Sequence, residues 1–212
     1  MMINYYGLYY KKNDTDELLQ MQKADLYFNE ALIKQDHDDY SWNTTLAKVV
    51  KLPSAFWIVV SSIKHIRFDF LPNYTGYVVS KSFFDLCLKY TPNIQYIPVY
   101  IVEKKTQKRT LKEYFFIRFT AIYDYVDLEQ SIYKTKFDRI TKREEIISYS
   151  KLVLKEVPSK NHIFKIQEKF SNWVEPVFVS EMFKHALDTL DLKTVDIVPI
   201  ENIALFHTQY YN

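Results

Sequence analysis

The sequence is poor in glycine, with 2 glycines among its 212 residues. Phosphate-binding loops, the dinucleotide-binding fingerprint and the strand-to-helix nucleophile elbow all need glycines where the backbone approaches a ligand or takes a positive φ. The chain therefore lacks the residues to build any of these motifs. The enzyme classes that depend on them are excluded in their standard form.

Cysteine and long apolar segments are equally scarce. Cys87 is the single cysteine, so an intrachain disulfide is impossible, and its place in an apolar helical stripe predicts a buried, inert thiol. The sequence has neither a basic-then-apolar signal segment nor an apolar run of about 18 residues. These absences together predict a cytoplasmic protein without a membrane span.

Charge of one sign is not in excess, because 28 basic residues face 26 acidic ones and the net charge is +2. This balance argues against nucleic acid or an anionic membrane as a partner, although a local patch stays possible. Aromatic residues are abundant at 17%, with 18 Tyr and 15 Phe. Tyrosine suits partner surfaces because it combines contact area with a polar tip, but it also replaces Leu in half-buried strands.

One pattern occurs twice, in residues 76–100 and 176–201. Each copy has a short β-branched run, a serine, an apolar helical period and a second β-branched run with a proline, which predicts strand, helix and strand. The sequence therefore predicts an α+β fold with mixed β-sheets, a few packed helices and two pseudo-repeated strand–helix–strand units. The shared positions are Val79-Ser80 with Pro98, and Val179-Ser180 with Pro199.

No low-complexity linker divides the chain, so residues 1–212 are expected to form a single domain of two intimate lobes. The N-terminal lobe would span residues 1–125 and contain the first copy, and the C-terminal lobe would span 126–212 and contain the second. In residues 11–50 the apolar side chains follow neither the helical period nor the alternation of a strand. The structure of this region is therefore left open, apart from some expected helix.

Ser80 and Ser180 each stand where a predicted strand turns into a helix. A nucleophile there needs a base within reach and an exposed, strained turn, and no glycine flanks either serine. A hydroxyl that caps the helix explains both positions. Glu181 follows in the first helical turn, where the positive end of the helix dipole stabilises its negative charge.

Asp127, Glu129 and Ser131 alternate with apolar residues, which predicts a strand with these three side chains on one face. Two carboxylates on one face suggest acid–base chemistry, but catalytic carboxylates usually come from different elements. Ion pairs with basic residues of a neighbouring strand are the structural alternative.

Asp36, Asp38 and Asp39 surround a histidine just before Trp42. Neighbouring residues do not converge easily on one ion, so no metal site is predicted and a solvated acidic loop is favoured. The loop is also a candidate contact region for a basic partner, with Trp42 as the interface anchor.

The order of these motifs resembles bacterial polymorphic-toxin immunity proteins of immunity family 11 and its relative, family 43. The resemblance covers roughly residues 55–201, and the first 50 residues add little to it. It implies a non-enzymatic cytoplasmic protein that binds and neutralises a cognate toxin, without a cofactor. The matching motifs are Val79-Ser80, Asp127-Leu128-Glu129 with Ser131, Val179-Ser180-Glu181, and the strands of Pro98 and Pro199.

The alternative function is a small hydrolase or transferase that uses Asp127 and Glu129 with a nearby serine. Such an enzyme would hold both carboxylates in a deep cleft with convergent polar groups. A shallow polar surface at these residues would favour the binding protein. The identity of the toxin and the oligomeric state are left open.

Overall fold

The computed structural model describes residues 4–11, 21, 23–32, 40–43, 48–64, 66–139, 142–166, 177–192 and 194–203. The described residues contain thirteen strands, two α-helices and one short 3-10 helix, in mixed sheets. The predicted α+β class is therefore confirmed. Neither helix is long and apolar enough to cross a membrane, within this described part of the chain.

The strands differ widely in length, from two to ten residues. The two helices, α1 (Lys81–Tyr90) and α2 (Glu181–Asp188), each follow a strand that ends in serine. The strands are β1 (Tyr5–Tyr10), β2 (Asp25–Tyr27), β3 (Phe56–Val60), β4 (Phe70–Asn73), β5 (Gly76–Ser80), β6 (Ile94–Glu103), β7 (Tyr114–Phe119), β8 (Ile122–Tyr123), β9 (Ile132–Asp138), β10 (Arg143–Lys151), β11 (Ile163–Ile166), β12 (Val177–Ser180) and β13 (Val195–Pro199).

A six-stranded sheet has the order β2-β3-β6-β7-β5-β4. Strands β3 and β6 are parallel, and every other neighbouring pair is antiparallel. All five residues of β3 are buried, as expected for an inner strand with a continuous apolar sequence. Helix α1 contributes Phe83, Phe84 and Cys87 to the core.

A five-stranded sheet has the order β13-β1-β12-β11-β8. Strand β12 is antiparallel to both of its neighbours, whereas β11 and β8 are parallel. Tyr9, Phe164 and Phe178 are fully buried in the core beside this sheet. Strand β1, near the start of the chain, thus forms part of the sheet that carries the second sequence copy.

The chain divides into two compact units. One takes its described residues from Met1–Tyr9, Ile122–Ala186 and Asp196–Asn212, and the other from Tyr10–Ala121 and Leu187–Val195. The predicted lobes were 1–125 and 126–212, so the prediction grouped the start of the chain with the first sequence copy rather than with the second. The pairing of β1 with β12 instead brings the first residues into the unit of the second copy.

Both copies contain a strand, a helix and a strand in the predicted order, and in each sheet one further strand lies between the two strands of the copy. That inserted strand is β7 in the first copy and β1 in the second. Ser80 pairs with Tyr114, the first residue of β7, and Ser180 pairs with Tyr5, the first residue of β1. A common origin of the two copies stays a prediction, but the surroundings of the two serines can be compared directly.

The thiol of Cys87 is fully buried, and burial raises its pKa above the ordinary value. A buried thiol with little thiolate is unreactive, so the predicted inert cysteine is confirmed in its placement. Helix α1 ends close to it, where the Thr91 N–H donates to the Cys87 carbonyl at 2.9 Å. Pro92 follows and prevents further helix.

A two-stranded antiparallel ribbon of β9 and β10 was not predicted from the sequence. The strand that the sequence predicted through Asp127, Glu129 and Ser131 does not form, because β9 begins only at Ile132. The register shifts around Ile147 and Ser150, which marks two bulges. The ribbon exposes the apolar side chains of Ile132, Phe137 and Ile147.

Candidate functional site

Asp127 lies in a turn rather than on a strand. Its Oδ1 accepts hydrogen bonds from the backbone N–H groups of Glu129 and Gln130, each at 3.1 Å, and its Oδ2 accepts one from the Gln130 side chain at 2.7 Å. The predicted shared strand face of Asp127, Glu129 and Ser131 is therefore wrong. A carboxylate that caps its own turn outcompetes the strand that the alternating sequence favoured.

Ser131 fixes this turn to the segment that follows the ribbon. Its N–H donates to the Asp127 carbonyl at 2.9 Å, and its Oγ accepts from the Val153 N–H at 3.0 Å. The Asp127 N–H in turn donates to the Val153 carbonyl. Glu129 is exposed at the tip of the turn. The cluster thus provides a local structural brace, in which contacts within the turn take the place of the ion pair predicted for Asp127.

Ser180 caps helix α2 as predicted. Its Oγ accepts from the Phe183 N–H at 3.3 Å and lies 3.0 Å from the Nδ1 atom of His162. A serine beside an imidazole resembles a nucleophile with its base, but Ser180 is 2% exposed, so a substrate cannot reach the hydroxyl. The imidazole instead holds the hydroxyl in its capping position.

Ser80 occupies the same position before helix α1, but its side chain does not cap the helix. Its Oγ is buried without a hydrogen-bond partner, so the predicted cap is wrong at this serine. The Ser80 N–H donates to the Asp69 carbonyl, as the Ser180 N–H donates to that of His162. Asp69 thus stands where His162 stands in the other copy, and its carboxylate binds Lys112 instead of the serine.

The two serines give a matched pair of variants. Replacing Ser180 with alanine is expected to lower the free energy of unfolding by about 1 kcal/mol, because the Phe183 N–H loses its acceptor. Replacing Ser80 with alanine is expected to change it by less than about 0.5 kcal/mol, because no hydrogen bond is lost. Urea unfolding followed by tryptophan fluorescence compares them. Equal losses in both variants would contradict this assignment.

Glu181 lies in the first turn of α2, as expected for a favourable charge at a helix start. Its carboxylate is 3.9 Å from the Nε2 atom of His185, one turn later, and both side chains are exposed. An exposed pair of this kind contributes little to stability. Glu181 therefore has a local role in this structure.

Trp42 is 1% exposed and lies in an aromatic cluster. Its ring centroid is 4.8 Å from that of Phe56 and 5.6 Å from that of Phe116. Direct contact of this indole with a partner does not fit its burial, which corrects the predicted interface anchor. The predicted contact residues Asp36, Asp38 and Asp39 lie outside the described residues.

Two tyrosines cover the Trp42 indole on the outer side of this cluster. The ring of Tyr74 is 5.5 Å from that of Trp42 at an angle of 73°, and the ring of Tyr40 is 6.4 Å away at 30°. Tyr40 is 46% exposed and Tyr74 is 53% exposed. We call Tyr40 and Tyr74, with Trp42 beneath them, the aromatic platform. The sequence prediction chose Trp42 and missed the two tyrosines that reach the surface.

Comparison with known families identifies the chain. A family model described as Immunity protein 43 matches residues 5–212. The chain belongs to the immunity protein 43 family. The match begins at residue 5 and so includes the N-terminal region that the resemblance to residues 55–201 did not cover. A search of curated proteins finds no match.

In this family 43 protein the residues of the sequence motifs support local structure. Asp127 and Ser131 brace a turn, Ser180 caps a helix, and Ser80 is buried at a helix start. Within the described ranges, no three His, Cys, Asp or Glu side chains are close enough to hold a metal ion. Tyr40 and Tyr74 are exposed and combine an apolar ring with a hydroxyl, a combination suited to contacts with a partner.

Proposed function

We propose that this protein neutralises a cognate bacterial toxin by binding it stoichiometrically in the cytoplasm, without catalysis. The observation that carries the proposal is the family match over residues 5–212. An inhibitor that acts by occlusion needs an interface of about 1,600 Å² in total with a few aromatic or charged anchors. The protein needs no reactive groups of its own for this activity.

The placement of the motif residues supports binding over the alternative hydrolase or transferase. A pair of catalytic carboxylates must be free to reach a substrate or a water molecule from both sides of the reacting bond. Both carboxylate oxygens of Asp127 are held by Glu129 and Gln130 of the same turn, so the Asp127–Glu129 pair does not meet this requirement. The serines predicted to assist are buried.

The proposal is tested by co-expression with the cognate toxin domain, which we expect to be encoded by a neighbouring gene. Cells that produce the toxin domain alone are expected to stop growing, and cells that also produce this protein are expected to recover. The two chains should co-purify in a 1:1 ratio, which size-exclusion chromatography with light scattering measures. A toxin domain from an unrelated system is the control and should be neither bound nor neutralised.

Two results would contradict the proposal. Growth arrest that persists at equal expression of both chains would show that this protein does not confer immunity against that toxin. Recovery without a complex, together with activity at amounts far below that of the toxin, would show an enzyme that turns over. Titration of purified toxin with this protein separates these cases, because a stoichiometric inhibitor reaches full inhibition at one equivalent.

A further inference from the structure

Strand β9 is exposed along its length. Every side chain from Ile132 to Phe137 is exposed, and the apolar side chains at the two ends of this stretch are 59% and 57% exposed. In the described part of the chain, β9 pairs with β10 alone, so no strand occupies its outer edge. An edge strand presents a row of backbone N–H and C=O groups that can bind a strand of another protein. The edge of β9 is therefore a candidate contact surface.

The backbone of β9 is more regular than that of β10. Both register shifts of the ribbon insert an extra residue into β10, at Ile147 and Ser150, whereas β9 has no bulge from Ile132 to Asp138. A bulge bends its strand and interrupts the even spacing of N–H and C=O groups that an added strand needs. The outer edge of β9 keeps that spacing and is the better place for strand addition.

The two faces of β9 differ in chemistry. Tyr133 lies opposite Tyr149, which is buried in the core, so the odd-numbered residues of β9 share the face that is directed to this core. Lys134 and Lys136 lie on the opposite face, and both are exposed. Any strand that joins the edge of β9 would therefore have two lysines beside it on one face and aromatic side chains on the other.

Positive charge is concentrated on this ribbon. Residues 132–151 contain six Lys and Arg but only three Asp and Glu, whereas the whole chain has a net charge of +2. Lys134 lies opposite Ser148, so no carboxylate directly across the ribbon balances its charge, and Lys136 lies opposite Glu145. Opposite charges on neighbouring strands stabilise their pairing. The edge of β9 thus favours an added strand that carries carboxylates.

A second copy of this chain does not match the edge. In the antiparallel register that covers all seven residues of β9, two copies would pair about Thr135 and place Lys134 of each copy opposite Lys136 of the other. Like charges directly opposite each other are destabilising. A nucleic acid would match the charge, but it has no row of peptide groups for the edge. An acidic strand of another protein matches both features.

We propose that the outer edge of β9 binds an acidic strand of the toxin, which extends the ribbon to three strands. Backbone hydrogen bonds supply affinity, and Lys134 and Lys136 select a strand with Asp or Glu at two alternate positions, because alternate side chains share a face. Apolar residues between these carboxylates contact Tyr133 and Phe137. This inference rests on the proposed function and specifies its contact surface.

Titration calorimetry with the cognate toxin domain measures the charge contribution. Lys134→Glu/Lys136→Glu is expected to raise Kd at least tenfold, because attraction becomes repulsion. Lys105→Glu/Lys108→Glu is the matched control, since it makes the same change of charge at two exposed lysines between β6 and β7, and its Kd should stay within twofold. Lys134→Arg/Lys136→Arg keeps the charge and should also stay within twofold. Circular dichroism establishes that each variant is folded.

Hydrogen exchange measured by NMR tests whether a strand is added at this edge. Every second backbone N–H of an edge strand is directed outward, so toxin binding should slow exchange at least tenfold at alternate residues of Ile132–Asp138. Contact through side chains alone would leave these amides unprotected. The two measurements therefore examine the charge and the backbone pairing separately.

The possible outcomes separate this inference from the proposed function. If the toxin binds but the glutamate variant retains the parental Kd, or exchange in β9 is unchanged, the inference is wrong and the proposed function stands. Binding of single-stranded RNA, or a dimer seen by light scattering, that the glutamate variant abolishes would assign the edge to another partner and overturn the inference. If the unmodified protein does not bind the toxin, both fail.

Discussion

Replacing Gly76 with alanine is expected to lower the free energy of unfolding by about 3 kcal/mol, at the upper end of overpacking effects. A Cβ atom at this position would lie 2.4 Å from the backbone oxygen of Ile117 and 2.5 Å from the ring of Phe116. The oxygen belongs to β7, which pairs with β5 at Tyr77, so it cannot move without breaking the sheet. Relief would require separation of two central strands.

The chain offers a matched control in its other glycine. A Cβ atom at Gly7 would approach the side-chain atoms of Ile203 and Tyr9 at 2.9 Å, and no backbone atom is among the nearest contacts. Side chains can shift, so Gly7→Ala is expected to lose about 1 kcal/mol or less. Thermal unfolding should separate the variants by roughly 4–8 °C, given about 2–4 °C for each kcal/mol at this chain length. Equal melting temperatures would show that β5 and β7 can separate locally.

Replacing Lys112 with methionine is expected to produce the second large loss, about 2–3 kcal/mol. Lys112 binds the carboxylate of Asp69, whose side chain is almost fully buried, and it also donates to the carbonyl of Arg67 at 3.0 Å. Removing one partner of a buried ion pair leaves the other charge in an apolar environment and typically costs about 3–5 kcal/mol. We expect less here because the Lys112 side chain is 35% exposed and water screens part of the interaction.

Two further variants identify the cause of that loss. Lys104→Met removes a lysine 3.9 Å from Asp25, where both side chains are well exposed, and should change stability by less than about 0.5 kcal/mol. The double variant Lys112→Met/Asp69→Asn removes the buried charge together with its partner and should recover part of the stability. Urea unfolding of the unmodified protein, Lys112→Met, Asp69→Asn and the double variant measures the coupling. A double variant that loses more unfolding free energy than the two single variants together would contradict a charge-pair mechanism.

Local apolar patterns predicted much of the fold. The strand–helix–strand order around Ser80 and Ser180 was predicted correctly, because it depends on neighbouring residues. The pairing of β1 with β12 has no local sequence signature, since Tyr5 pairs with Ser180 near the other end of the chain. The strand predicted through Asp127 failed because a side-chain hydrogen bond to the backbone decided the local structure.

Of the three residues of the aromatic platform, the sequence analysis named only Trp42. Trp42 was chosen for its residue type, and its burial depends on packing against Phe56 and Phe116, which the sequence alone does not show. Tyr74 joins the site from a distant segment through the β4–β5 turn. A tyrosine with positive φ has no signature in the sequence, because its conformation is imposed by the surrounding structure.

The β9–β10 ribbon has a consequence for the behaviour of the protein in concentrated solution. Two-stranded ribbons present edges that invite a further strand, and exposed Ile132, Phe137 and Ile147 would strengthen such stacking into fibrils. The bulges at Ile147 and Ser150 interrupt the hydrogen-bonding ladder, and Lys134 and Lys136 place charge along β9. Irregularity and charge thus oppose edge-to-edge pairing of ribbons from different molecules and act as gatekeepers against aggregation.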